Sequence, residues 1–314
     1  HRDDGLLYRR ATLTPEAKVP FNIKGNLFDL GARVQNDFYW LENNYKTTPQ
    51  TADYQNLQSN YKPELSANWR LPLIKKSQKN TLMFEPMANI VWSSFKKNVY
   101  NLPNEDSNNS ELSVSNLFTN DRIFGFDRNE AGQRASVGAK SSLFNRFGEF
   151  GLTLGQSLRI KDQSQDVQIR GFADNNKSNY IGQAMYRAKK YFNLSYSFQL
   201  NESNLRNDVN QVTGVFSSKD FIFSADYLLL RRAANNPEMR EQVTLSTTFK
   251  TTDRWKTTLA ATNDLVSDRM LSRSITLLRD GCCTIFSFSV MENNPINLTK
   301  PQRNFSFLLT FKNL

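Results

Sequence analysis

Histidine is almost missing from this chain of 314 residues, which has one, His1. That scarcity argues against histidine-dependent hydrolysis and leaves no His/Cys set for a four-ligand zinc cage. Cysteine is nearly as rare, and its two copies, Cys282 and Cys283, are neighbours in "LLRDGCCTIFSF". Adjacent Cα atoms stand about 3.8 Å apart, short of the roughly 4.4–6.8 Å of an ordinary disulfide. Two readings stay open: separate disulfides to cysteines outside this chain, or two free thiols packed as small apolar residues. Long apolar runs are also lacking; none nears the roughly 18 residues of a membrane-crossing helix. Helical periodicity is absent, its best stretch, 186–191, being too short. The chain begins with His rather than Met and shows no basic-then-apolar leader, which reads as a mature chain or a fragment.

Mean hydropathy is -0.58, the value of a water-soluble protein. That average is blind to β-barrels, in which half the strand residues face a polar lumen. Net charge is +10 and the pI about 9.5. The basic residues are scattered, with no Lys/Arg block and no RNA-binding signature. Solvated surface charge accounts for them; anionic lipid or phosphorylated glycolipid is as good an electrostatic partner as nucleic acid.

Period-two alternation is what the sequence has in abundance. In "NLFDLGARVQNDFYW", Phe28, Leu30, Ala32, Val34, Phe38 and Trp40 alternate with Asp29, Arg33, Gln35 and Asp37. Such a stretch is a strand with one apolar and one polar face. "YKPELSANWRLPL", "EFGLTLGQSLRI", "FNLSYSFQLN" and the closing "RNFSFLLTFKNL" repeat the pattern. Weaker versions fall at 82–92, 134–144, 167–173, 221–229, 242–249 and 255–262. Connectors rich in Asn, Asp, Ser and Pro separate them, among them 42–56, 101–111, 161–166, 173–179, 201–210 and 233–241. Those residues favour turns. The whole reads as one antiparallel meander.

Length separates a membrane barrel from a soluble sandwich. Soluble strands cluster near 5–6 residues, whereas a tilted membrane strand needs about 9–11. The clearest segments reach the membrane length, and Tyr39, Trp40, Tyr61, Trp92, Tyr191 and Phe192 sit toward segment ends, where interface girdles lie. The fold class expected is all-β, a large antiparallel transmembrane barrel in meander order that this chain need not complete. Arg33, Arg70 and Arg159 then fall on the polar face as candidate lumen-lining residues. They either attract sugar phosphates or pair with Asp29, Asp37, Glu64 and Glu149. Asp127 and Glu130 in "GFDRNEAG" invite an acid–base reading. No nucleophile or metal-ligand cluster accompanies them, so a structural contact, Asp127 with Arg128 or Arg122, is favoured.

Several stretches exceed periodicity. "PELSANWRLPLI", "FEPMANIV", "LPNEDSNNSELSVSNLFTNDRIFGFDRNEAGQRASVGAKSSLF" and "GQSLR" follow in order, then "RDGCC" and "LTKPQRNFSFLLTFKNL". This set resembles the lipopolysaccharide-assembly outer-membrane protein family, LptD or organic solvent tolerance protein, most closely its α-proteobacterial branch. The strongest block is 101–144, with Asp127 and Arg128 in a family-motif loop. The likeness is more diffuse before Lys62 and over 161–278.

The resemblance implies a Gram-negative outer-membrane location and a non-enzymatic role without cofactor or metal. Residues 1–314 would be the C-terminal portion of the barrel, the N-terminal periplasmic jelly-roll being absent. Lipopolysaccharide would be inserted into the outer leaflet through the lumen and a lateral gate. One lip of that gate would be the last strand, with Phe305, Phe307, Leu309 and Phe311. Implied partners are lipopolysaccharide, a plug lipoprotein of LptE type and, through the missing domain, a periplasmic bridge protein of LptA type. Cys282 and Cys283 match the family's C-terminal pair, which bonds to cysteines in or near the N-terminal domain. A passive diffusion channel is the alternative, told apart by ion conductance without lipopolysaccharide dependence. A soluble β-rich binding protein would instead stay in solution without detergent.

Overall fold

The structure, a computed structural model, describes residues 6–43, 57–93, 106–107, 110–128, 130–160, 169–172, 176–189, 191–231, 239–294 and 300–312. His1, most of the 42–56 connector and the 161–166 connector lie outside them. Nineteen strands and no helix occur among the described residues. The first ten are β1 (Leu6–Leu13), β2 (Glu16–Ile23), β3 (Asn26–Asn43), β4 (Leu57–Arg70), β5 (Leu73–Lys76), β6 (Thr81–Ser93), β7 (Ser110–Glu111), β8 (Gln133–Asn145), β9 (Gly148–Arg159) and β10 (Ile169–Arg170). Then come β11 (Tyr180–Ala188), β12 (Phe192–Leu200), β13 (Asn207–Ser217), β14 (Phe221–Leu230), β15 (Arg240–Lys250), β16 (Trp255–Asp264), β17 (Arg269–Asp280), β18 (Thr284–Asn293) and β19 (Gln302–Phe311). The fold is all-β, an antiparallel meander of the kind that builds barrel walls.

Two compact units divide the chain. The first comprises His1–Leu73, Glu85–Ala139 and Gly155–Asn179; the second comprises Ile74–Phe84, Lys140–Leu154 and Tyr180–Leu314. In the first unit β1 and β2 pair successively with β3, which pairs with β4, which pairs with β6. The β3–β4 register matches the alternation in the sequence. Phe28 lies opposite Trp69, Leu30 opposite Ala67 and Ala32 opposite Leu65, while Arg33 meets Glu64 and Gln35 meets Lys62. Across an antiparallel pair such partners share a face. The burial is inverted relative to a water-soluble sheet: Leu65 is 54% exposed, whereas Asp37 is fully buried and Lys62 only 7% exposed. Long strands that turn an apolar face outward and a polar face inward suit a hydrocarbon surround.

The second unit carries β11 to β19, each pairing antiparallel with the next. Its polar face is laced by hydroxyls, Thr244 with Thr262 at 3.1 Å and Thr248 with Thr258 at 2.8 Å. Asp226 accepts from Gln211 at 2.9 Å and Thr213 at 2.5 Å. Phe223, Leu245 and Leu259 are exposed on the other face.

Strands β1, β2, β11, β13, β17 and β18 exceed what alternation predicts, and β11 overlaps the 186–191 stretch that came nearest to a helical period. In β13 the face shared with Leu194 and Phe192 includes Asn210 and Gly214, while Val209 and Val215 lie opposite, so the pattern is blurred. A register shift between Thr262 and Asn263 interrupts the β16–β17 pairing, so β17 has no single phase. Of the expected strand at 167–173, residues 167, 168 and 173 lie outside the described residues, and within the rest Ile169–Arg170 form β10, pairing in parallel with β7. Strands β13 and β15 also begin inside stretches read as connectors.

Candidate functional site

The described residues of 106–132 do not continue the meander. In the first unit they fold against the polar faces of β3, β4, β8 and β9, held by a small apolar set and a large ionic one. Leu112 and Leu117 are fully buried, and Ile123 is 5% exposed. Leu117 fits because Gly155 has no side chain: a Cβ there would stand 2.6 Å from the leucine and 2.8 Å from the Val137 carbonyl. The segment bends at Gly125, whose φ of +100° favours glycine, and where a Cβ would strike the Asp106 backbone. Phe124 and Phe126 are exposed.

The ionic set has two centres. At the first, Arg10 of β1 forms ion pairs with Asp127 and, at 2.7 Å, with Asp106. Asp106 in turn accepts the backbone N–H groups of Phe126 and Asp127 at 3.0 Å each. Tyr39 donates to Asp127 at 3.3 Å. At the second centre Glu130 faces three guanidiniums: Arg122, bound through two nitrogens, Arg134 at 3.5 Å and Arg159 at 3.6 Å. The Arg122 and Glu130 side chains are each 1% exposed. Phe172 lies beneath two of these cations, 3.7 Å from Arg159 and 5.6 Å from Arg122. Between the centres, Lys62 donates to the Phe126 carbonyl at 3.2 Å and pairs with Asp37 at 3.0 Å.

Burial raises the carboxyl pKa values of Asp106 and Glu130, but the guanidiniums, joined at Asp106 by the backbone N–H groups of Asp127 and Phe126, outweigh it and leave both depressed. The principal opposing groups are Arg10 for Asp106, and Arg134 and Arg122 for Glu130. A depressed folded-state value stabilises at pH above the unfolded one, about 4, and that stabilisation is lost as pH falls through the folded value. Docking of 106–132 is therefore expected to hold unchanged from pH 7 to 5 and to fail only below the ordinary carboxylate range. Hydrogen exchange across residues 123–128, corrected for intrinsic rates, measures this; release between pH 7 and 5 would contradict it.

The predicted site residues are distributed as follows. Arg33 donates to Asp121 at 3.3 Å and Gln35 at 3.2 Å, and Arg159 joins the Glu130 centre. Arg70 is 55% exposed and meets Glu85 at 3.8 Å. Asp127 is a hub of the loop, while Arg128 is held by its backbone to the Ser107 hydroxyl at 2.9 Å. In the second unit, Cys282 and Cys283 are exposed in the turn between β17 and β18, their sulfurs 3.2 Å apart. Phe305, Phe307, Leu309 and Phe311 are exposed on β19, and so is Leu308 on its other face. Arg10, Lys62, Asp106 and Arg134 were missed, and Arg122, expected beside Asp127, binds Glu130 instead; the charge density of "NDRIFGFDRNEAGQR" marks four of the loop's contributors.

The arrangement is a clamp, with buried guanidiniums and carboxylates satisfying one another and holding an inserted segment to a polar wall. A family model described as "LptD: LPS transport system D" matches residues 1–255. No curated protein matches the chain.

Proposed function

The chain belongs to the LptD family, LPS transport system D, and from that premise we propose that it forms a wall of an outer-membrane barrel that delivers lipopolysaccharide to the outer leaflet. The family's role is lipopolysaccharide transport at the outer membrane. In this reading the exposed apolar faces lie in hydrocarbon, and the polar faces line a hydrated passage for the sugars. The match over residues 1–255 is the observation that carries it. Lipid leaves beside β19, whose Phe305, Phe307, Leu309 and Phe311 form one lip of a lateral gate. Residues 106–132 narrow the passage from inside. A plug lipoprotein occupies the remaining lumen, and an N-terminal domain outside this chain takes lipid from a periplasmic bridge protein. Depletion of the protein is the test: surface lipopolysaccharide is expected to fall, and an unchanged surface would overturn the reading.

Cys282 and Cys283 fix that N-terminal domain through disulfides, which persist in the oxidising envelope. Their exposure in a turn leaves both sulfurs accessible. Cys282→Ser with Cys283→Ser is expected to abolish the mobility difference between reduced and non-reduced full-length protein and to lower surface lipopolysaccharide at least several-fold. Unchanged migration would remove the tether.

A further inference from the structure

The second unit has two unlike ends. Its short turns, between β11 and β12 and at 218–220, 251–254 and 281–283, all lie at one end, because each is hydrogen-bonded to the next. Ser217 N–H donates to the Tyr191 carbonyl at 2.7 Å, Lys250 to Asp220 at 2.8 Å, Asp280 to Arg254 at 2.8 Å and Lys312 to Cys283 at 2.8 Å. The Asn145–Gly148 turn region joins them: Phe150 stacks on Tyr186 at 4.4 Å and Arg187 pairs with Glu149 at 3.1 Å.

Charge is divided unequally between the ends. Asp253 and Asp280 at the short-turn end are taken by Lys250 and Lys312, which leaves Asp220 as the exposed acid of these turns. Arg146, Lys189, Lys219, Arg254, Lys256 and Arg279 remain exposed there with no ion pair among the described residues. At the opposite end Arg206 pairs with Asp208, and Arg273 and Arg303 share Glu292; two exposed cations there, Arg231 and Lys300, have no ion pair among the described residues, against six at the short-turn end.

Exposed aromatic rings are also denser at the short-turn end, the other end having Tyr180 and Phe305. Phe147, Tyr191, Phe192, Phe216, Phe221 and Phe249 are exposed at the short-turn ends of their strands. Arg146 lies over Phe147 at 4.5 Å and Arg279 over Trp255 at 5.8 Å. Aromatic rings backed by long cationic side chains within a residue or two match the boundary between acyl chains and headgroups. A surplus of unpaired cations there selects acidic headgroups over zwitterionic ones.

We infer that the short-turn rim of the second unit is a binding surface for anionic phospholipid headgroups. The inference rests on the membrane reading above and is independent of export.

The test places the full-length protein in phosphatidylcholine vesicles containing spin-labelled phosphatidylglycerol or spin-labelled phosphatidylcholine. The motionally restricted fraction at the protein boundary is then compared. Phosphatidylglycerol is expected to be preferred roughly twofold or more, with the preference falling as salt is raised. The sixfold variant R146Q, K189Q, K219Q, R254Q, K256Q, R279Q removes the preference, while R206Q with R303Q at the other end keeps it. A heat-modifiable gel band confirms that each variant is folded, and K219Q with K256Q, expected to halve the preference, serves if the sixfold variant is not. Equal restriction of the two lipids, or loss of preference in R206Q with R303Q instead, overturns the rim proposal alone. Failure of the protein to enter vesicles overturns it together with the membrane reading.

Discussion

Glu130→Ala is expected to release residues 106–132 from their wall. The carboxylate faces Arg122, Arg134 and Arg159 in a place where Arg122 is 1% and Arg134 3% exposed. Deleting it strands cations away from water, a fault that costs about 3–5 kcal/mol. The apolar anchors Leu112 and Leu117 resist release but leave the repulsion among the guanidiniums in place. Amide exchange across the segment should therefore accelerate on the order of a hundredfold or more. Arg122→Met combined with Glu130→Met should recover only part of the loss, because the exchange removes one stranded cation while Arg134 and Arg159 still lose their carboxylate. An exchange rate within a few-fold of the parent in Glu130→Ala would show that the ionic centre does not hold the segment.

Leu245→Arg is the second large effect. Leu245 lies midway along β15 and is 46% exposed. In water an exposed leucine can become arginine at a cost near ±0.5 kcal/mol. In a bilayer the same change at mid-depth costs about 2–4 kcal/mol. Urea unfolding from vesicles reads the difference, with Leu265→Arg in the β16–β17 turn as a near-neutral control. A neutral Leu245→Arg would mean that this face does not meet hydrocarbon.

The sequence was legible where each face kept one chemistry. Strands β3, β4, β9 and β12 alternate cleanly, and the β3–β4 and β11–β12 registers put most apolar residues opposite apolar ones. Legibility failed in β13, where Asn210 and Gly214 sit among outward positions, and in β17, where a register shift resets the phase. The clamp was harder still. Arg10 finds Asp127 across 117 residues and Arg33 finds Asp121 across 88, and no local pattern encodes such distant choices. Period two put Arg33 and Arg159 on the polar face, yet their partners come from the inserted segment. The loop itself was visible as a dense charged block, with Asp127 in a structural role. The hub at Glu130 was not, because its three arginines reach it from the loop, β8 and β9.

Collision accessibility of nitroxides along β15 tests the central claim most directly, with Cys282 and Cys283 replaced by serine and the protein in bilayers. Labels at positions 243, 245, 247 and 249 should be open to oxygen and closed to a water-soluble nickel chelate, and labels at 244, 246 and 248 the reverse. A uniform profile, or oxygen access on the threonine face instead, would contradict a lipid-facing apolar wall.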